Sequence, residues 1–231
     1  MAIFAIGDLH LPGQSDKLMD RFGAHWDHHW EAIQKNWIAK VNAEDIVLIP
    51  GDISWAMNLS DAVPDLFSIS TLPGYKILLR GNHDYWWSSI TKVRAALPAS
   101  MYALQNDALA LQQYVFCGAR GWVFPNNQTI LSEADEKIYQ RELIRLKLSL
   151  ETAQALSSNV PPIVLMHFPP LFADGIETEY TKLLEAFGIC TVVYGHLHDA
   201  GIKNGFSGLR NGIQYHLVSC DALQFSPICV L

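Results

Sequence analysis

Five short stretches of this 231-residue chain end in side chains suited to binding cations. They are Asp8-Leu9-His10, Gly51-Asp52, Gly81-Asn82-His83-Asp84, His167 and Gly195-His196-Leu197-His198. Each follows directly on a short apolar run of the kind that forms a buried strand. Asp-x-His and Gly-Asp are weak signals singly, since both recur at ordinary turns. Gly-Asn-His-Asp and Gly-His-x-His behind an apolar run say more, because two His at i and i+2 of a strand point to the same side. All five, in order and each at a strand end, make coincidence a poor explanation. In open α/β sheets the crevice at the carboxyl ends of the strands is where ligands bind. Two carboxylates, an amide oxygen and four or five imidazoles would meet there. Gathering them without counter-charge costs several kcal/mol each in desolvation and repulsion. Two divalent cations, each with a mixed nitrogen and oxygen donor set and one carboxylate shared, remove that cost. No thiolate lies in these motifs, so a cysteine-type structural zinc site is excluded. Glycine before Asp52, Asn82 and His196 suits tight turns that bring backbone close to the ions.

The elements that must carry these groups are legible as alternation. Residues 2–7, 45–50, 75–80, 162–166 and 189–194 read as buried strands, short, branched and bounded by Gly, Pro or polar turns. Residues 27–41, 87–97, 133–157 and 178–187 have helical periodicity, clearest where Ile138, Leu143, Ile144, Leu146, Leu148 and Leu150 sit among charged residues. Around 101–117 and 213–230, strands follow one another without helices, which predicts hairpins and antiparallel edges. The mixture predicts an α/β/β/α sandwich, two mixed sheets with helices outside. With no internal repeat and no linker, residues 1–231 read as a single domain.

Composition narrows the function classes. Half the residues are hydrophobic, with seven Trp, eight Tyr and ten Phe, which excludes a disordered chain. A formal charge of −7, from 16 basic and 23 acidic residues, and the lack of a basic stripe argue against bulk nucleic-acid binding. Bound cations would reverse the local sign, so an anionic substrate is still admitted. Cys117, Cys190, Cys220 and Cys229 form no CxxC pair and read as reduced side chains. The opening MAIFAIGDLH lacks a basic leader and is read as a first core strand, not a signal peptide. No stretch is apolar long enough to span a bilayer, and the expected location is the cytoplasm.

The ordered series of motifs resembles the calcineurin-like metallophosphoesterase superfamily over nearly the whole chain. The resemblance implies the four-layer sandwich. It also implies one metal held by Asp8, His10, Asp52 and His198, and a second by Asp52, Asn82, His167 and His196, with Asp52 as the bridge. Protein Ser/Thr phosphatases of the superfamily follow the second motif with Asp-Arg-Gly and end the third in Glu. This chain has Asp52-Ile53-Ser54 and Gly81-Asn82-His83-Asp84, which looks more like the phosphodiesterase-type and small-molecule branches. Lipid-A pathway pyrophosphatases usually carry Arg where His83 stands. The run GDISWA with GNHDYWW looks like a bacterial group of predicted phosphohydrolases.

The expected chemistry is hydrolysis of a small phosphodiester or nucleotide-like substrate by a metal-bridging hydroxide, with His83 as general acid and Asp84 orienting its ring. Phosphomonoesterase and nuclease activities use the same site. A metal-binding scaffold without turnover is the alternative of a different class, against which stands a complete ligand set with its acid. Manganese is the first expectation for the two ions, iron and zinc fitting the same donors. Trp55, Tyr85, Trp86, Trp87 and Trp122 fall in or after strand-end loops, where they could form an aromatic wall for the substrate or simply pack the core. Arg120 could clamp a phosphate oxygen or stand on the surface. In His25-Trp26-Asp27-His28-His29-Trp30, two His four apart could bind a metal, though packing of a helix start or a lid fits as well. His216 reads as a core or edge histidine.

Overall fold

The computed structural model describes residues 1–14, 19–125, 130–156 and 160–231. Four parallel strands, β1 (Ile3–Ala5), β2 (Ile46–Ile49), β3 (Tyr75–Leu79) and β4 (Met101–Leu104), form one sheet. The chain then crosses to a second sheet through β5 (Ala108–Leu111) and β6 (Tyr114–Ala119), an antiparallel hairpin. Beside β6 lie β7 (Ile163–Met166), β8 (Thr191–Tyr194) and β10 (Ile213–Leu217), all parallel, with β9 (Gly208–Arg210) as an antiparallel edge. The final strand β11 (Ile228–Cys229) returns to the first sheet, antiparallel to β1. The order is β11-β1-β2-β3-β4 in one sheet and β5-β6-β7-β8-β10-β9 in the other.

Strand sequences that are apolar at every position make sense in such a stack, because both faces are covered. Ile46 and Leu48 of β2 face the second sheet, in a core shared with Ile77, Leu79, Phe116, Leu165 and Val193. Val47 and Ile49 face the opposite way, into a core with Ile33 and Trp37 of α1 (His29–Lys40), Leu66 of α2 (Leu59–Ser70) and Val93 of α3 (Ile90–Ala96). On the far side, Val164, Met166 and Val192 pack under α4 (Glu133–Leu156) and α5 (Glu179–Ala186) through Leu146, Leu150 and Leu184. The four-layer α/β/β/α sandwich with two mixed sheets is therefore as expected.

Two local expectations change. Helix α2 carries Pro64 in its interior, a residue that removes one backbone donor and breaks the sequence signal for a helix. It forms nevertheless, because Asn58 caps its start through Asp61 N at 3.1 Å and Ala62, Leu66 and Ile69 are buried. Its end is held by Lys76 of β3, fully buried, whose Nζ reaches Leu72 O and lies 3.3 Å from Ser70 O. The 101–117 and 213–230 regions contain the expected hairpins at β5–β6 and an antiparallel edge at β11, yet β4 and β10 lie parallel to β3 and β8. The helix expected over 133–157 is present over Glu133–Leu156, residue 157 lying outside the described residues.

Candidate metal centre

The loops behind β1, β2, β3, β7 and β8 do meet. Ligand atoms of Asp8, His10 and His198 lie within 4.8 Å of one another, and those of Asp52, His167 and His196 form a second group of the same tightness. Asp52 Oδ2 is 3.9 Å from His10 Nε2 and 3.5 Å from His167 Nε2, so it faces both groups. Asn82 Oδ1 joins the second at 2.7 Å from His167 Nε2. All seven residues expected as ligands are thus together.

The backbone is bent to achieve this. Asp8, His10, Asp52 and His196 have φ of 57°, 45°, 49° and 73°, the left-handed region, which costs of order 1 kcal/mol or more per residue and concentrates at functional sites. The strain is held by loop-to-loop bonds: Asp8 N to Gly51 O, His10 N to Asp52 O and Leu11 N to Ile53 O, each 3.0 Å. Side-chain oxygens add to them. Asp8 accepts from His196 N at 3.0 Å, and Asp52 Oδ1 accepts from His83 N at 2.8 Å. Gly81 and Gly195 are required here, because a Cβ at either would run into the carboxylate of Asp52 or Asp8.

The donor chemistry fits cations. His167 Nδ1 is 3.0 Å from Pro50 O, a pure acceptor, so Nδ1 carries the proton and Nε2 presents a lone pair. That lone pair faces Asn82 Oδ1 at 2.7 Å and His196 Nδ1 at 3.2 Å. At the other group His10 Nε2 and His198 Nε2 stand 3.3 Å apart beside Asp8. Two acceptors aimed at one another, His167 Nε2 and Asn82 Oδ1, call for a positive charge between them. Titration separates His198 from the other three imidazoles. Burial alone would raise Asp8, yet the charged His198 ring and its hydrogen bond hold it well below the usual carboxylate range. Burial opposes charge on His198, but Asp8 and Asp221 outweigh it and lift it to about 10. Burial, reinforced by the charges of Asp84 and Asp8, pushes Asp52 well above the usual range. Burial keeps His10, His167 and His196 neutral, His196 at about 3. Neutral imidazoles are the form that ligates metal.

Asp221 belongs to this site and escaped the sequence reading. Its Oδ1 accepts from His198 Nδ1 at 2.9 Å, leaving Nε2 turned toward Asp8 and His10. A carboxylate behind a ligating imidazole fixes its tautomer and orientation. The signal is its place behind β10, a sixth strand end, in a region whose sequence reads as hairpins.

Asp84 differs from expectation. It is fully buried, and Oδ1 accepts from Ile53 N (2.8 Å), Ser54 N (3.2 Å) and Trp86 Nε1 (2.9 Å), while Oδ2 accepts from Gly81 N (2.7 Å). Four donors occupy the carboxylate, so it braces the second loop against the third in place of orienting the His83 ring. Trp86, expected as a substrate contact, is correspondingly buried in the core, as is Trp87. Trp55 does reach the site, stacked on His10 at 4.8 Å and 4.6 Å from the His83 ring. Tyr85 is half exposed, 6.3 Å from His83. Trp122 stands further out, packed on Phe168, which in turn covers His196 at 4.0 Å. Arg120 lies over the Trp122 ring at 4.6 Å and pairs with Glu142 at 3.6 Å.

His25 and His29 do not share a ligand position. His29 bonds Leu9 O and Trp26 O, and Trp26 is buried with its ring 5.5 Å from that of His198, so the segment packs behind the first metal loop. His25 instead pairs with Asp199 at 2.9 Å on the surface. His216 is half buried in β10.

A family model described as calcineurin-like phosphoesterase matches residues 1–200, and the chain belongs to that family of metal-dependent phosphoesterases. Among solved structures it is similar to a phosphopantetheinyl hydrolase from Mycobacterium tuberculosis, 12% identical with a TM-score of 0.56, covering 97% of this chain and 91% of that one. A protein of unknown function from Aquifex aeolicus is similar at 14% identity and a TM-score of 0.50, over 98% and 94% of the two chains. At these identities the likeness concerns the fold. Comparison with curated proteins gives no significant match.

Proposed function

We propose that this chain is a dinuclear metal-dependent phosphohydrolase acting on a small phosphodiester or nucleotide-like ester, residues 1–231 working as one unit. The observation that carries this reading is the position of Asp52 Oδ2 between the two ligand groups. Asp8, His10, Asp52 and His198 would hold one divalent ion, and Asp52, Asn82, His167 and His196 the other. Ions bound there supply Lewis acidity, activating water and neutralising charge on phosphate oxygens. Manganese is the first choice, with iron and zinc suited to the same donors.

The chain's own residues do the rest. Asp221 and Pro50 O hold the His198 and His167 rings with the ligating nitrogen forward. Asp84 keeps the loops of Asp52 and Asn82 in register. His83, outside the ligand set but bonded through its backbone to Asp52, would give a proton to the leaving oxygen, a role worth about 10²–10⁴ in rate. Trp55 packs against both His10 and His83 and so limits water at that side. The full ligand set with its acid favours an enzyme over a retired scaffold, and the net charge of −7 disfavours bulk nucleic acid as substrate. Among the described residues no helix is long and apolar enough to cross a membrane. Four free thiols suit a reducing compartment such as the cytoplasm.

The test is to load the purified chain with Mn²⁺ and compare p-nitrophenyl phosphate with bis-p-nitrophenyl phosphate. The diester is expected to turn over faster. Asp52→Asn should lose more than the roughly 10–100-fold that follows removal of an outer-shell partner, because it weakens both sites. Inertness toward both esters with manganese, iron and zinc alike would overturn the proposal.

A further inference from the structure

Next to the metal centre the structure holds a second feature that the proposed hydrolysis does not use. A cavity of about 220 Å³ opens among Arg80, Arg120, Arg141 and Arg145, with Gln105 and Glu142 also on its wall. Arg80 directly follows β3 and precedes the Gly81 that touches Asp52; Gln105 follows β4 and Arg120 follows β6. The ligands come from the ends of β1, β2 and β3 in one sheet and β7 and β8 in the other. The cavity therefore occupies the next places along both sheets, β3–β4 and β6, at the same carboxyl edge. The Arg120 carbonyl makes the join physical, accepting from His167 N at 3.0 Å and Phe168 N at 2.9 Å.

The charge balance of this cavity is unusual in a chain whose net charge is −7. Four guanidiniums face one carboxylate. Glu142, itself buried on α4, accepts from Arg145 at 2.6 Å and lies 3.6 Å from Arg120. No ion pair of Arg80 or Arg141 occurs among the described residues, and Arg80 Nε is buried without a hydrogen-bond partner. Burial works against the charge on Arg120; Glu142 supports it, while Arg80, Arg145 and Arg141 repel it. Clustering like charges around half-buried space is costly unless an anion offsets it. Planar guanidiniums suit phosphate or carboxylate in particular, through paired N–H donors. The volume also decides between a whole ligand and a part: it falls below the roughly 300–1,000 Å³ of a complete small-molecule pocket.

We propose that this arginine cavity binds a second anionic group of the substrate, a terminal phosphate or carboxylate carried beyond the phosphate that is hydrolysed. The inference rests on the phosphohydrolase reading and narrows its substrate class to esters with a charged arm.

The test compares two chromogenic diesters with the same leaving group, p-nitrophenyl butyl phosphate and p-nitrophenyl ω-phosphonobutyl phosphate, on the Mn²⁺-loaded chain. Wild type should prefer the phosphonate-bearing ester in kcat/KM by about tenfold or more, the factor expected of one charge-assisted contact. Arg80→Gln and Arg141→Gln should each erase most of that preference, and Arg80→Lys and Arg141→Lys should retain much of it. Calorimetric titration of methylphosphonate into the full chain with chelator present reads the cavity without the metals. Binding there that weakens in both Gln variants supports the proposal even if neither ester is hydrolysed, an outcome that would count against the hydrolase alone. Equal kcat/KM for the two esters, or a preference untouched in both Gln variants, would overturn it. So would the absence of methylphosphonate binding to an enzyme that is inert toward both esters.

Discussion

His83 and Asp84 are neighbours with unlike surroundings, and their substitutions should separate. The His83 ring stands among Trp55, His10 and Tyr85, and its side chain is outside the ligand set. His83→Ala should leave metal content intact while lowering kcat by about 10²-fold or more for esters with poor leaving groups, and by much less for nitrophenyl esters. Metal analysis of the purified variant decides the matter, since a metal-free His83→Ala protein would make the ring a ligand. Asp84→Ala, by contrast, strips Ile53 N, Ser54 N, Gly81 N and Trp86 Nε1 of their acceptor. Buried donors left unsatisfied cost about 1–3 kcal/mol each. Urea denaturation should therefore show a loss of at least about 3 kcal/mol, with metal binding lost alongside. The seven residues proposed as ligands were legible because their types and strand-end positions have no cheaper explanation than cations. The bracing role of Asp84 was not, because a carboxylate beside an imidazole reads the same whether it turns to the ring or to amides behind it.

Between strands and helices, legibility followed the strength of the local pattern. β2, β3, β7 and β8 are short branched runs buried on both faces, and the sequence located each within a residue or two. Helix α2 was hidden by Pro64, since a breaker in mid-segment outweighs an apolar stripe until the packing of Leu66 and Ile69 is known. Strand direction was the harder quantity. β10 pairs parallel with β8 after the β9 hairpin, and that pairing brings Asp221 to His198. The junction of β3 and α2 makes its own prediction. Burial lowers the Lys76 ammonium from its usual 10.5 to about 8 while Nζ serves the carbonyls that end α2. Below about pH 8 the lysine is charged in both folded and unfolded chains, and the penalty for burying that charge is complete. Between about 8 and 10.5 the unfolded chain binds the proton and the folded chain sheds it, so stability from this group rises with pH. Chemical denaturation of wild type and Lys76→Met at a series of pH values should show the difference moving in favour of wild type across that window. A flat difference would mean that Lys76 is not buried as a charge.

At the scale of the molecule, the metal centre lies where the two sheets meet at one edge, so its occupancy bears on the stability of the whole sandwich. Gly7 N bonds Val218 O at 2.7 Å and Cys220 N bonds Gly7 O at 3.1 Å, joining the end of β1 to the end of β10 beside Asp8. The proposed ligands arrive from both sheets: Asp8, His10, Asp52 and Asn82 from one, His167, His196 and His198 from the other. Without cations, the buried carboxylates Asp8 and Asp52 are divided between one held well below its usual range and one pushed well above it. A cation that binds the folded chain alone stabilises it by about 2.7 kcal/mol when present at one hundred times its Kd. For a domain of this size each kcal/mol moves Tm by roughly 2–4 °C, so saturating one site should raise Tm by about 5–10 °C. Thermal unfolding of the chelator-treated chain with increasing Mn²⁺ should show that rise, and excess chelator should reverse it. Asp52→Asn should start from an equal or higher Tm without metal, because burial of its carboxylate is unfavourable there, and should gain far less when Mn²⁺ is added. An equal gain in wild type and Asp52→Asn would place the stabilising ions somewhere other than between the two sheets, and with them the chemistry assigned to this edge.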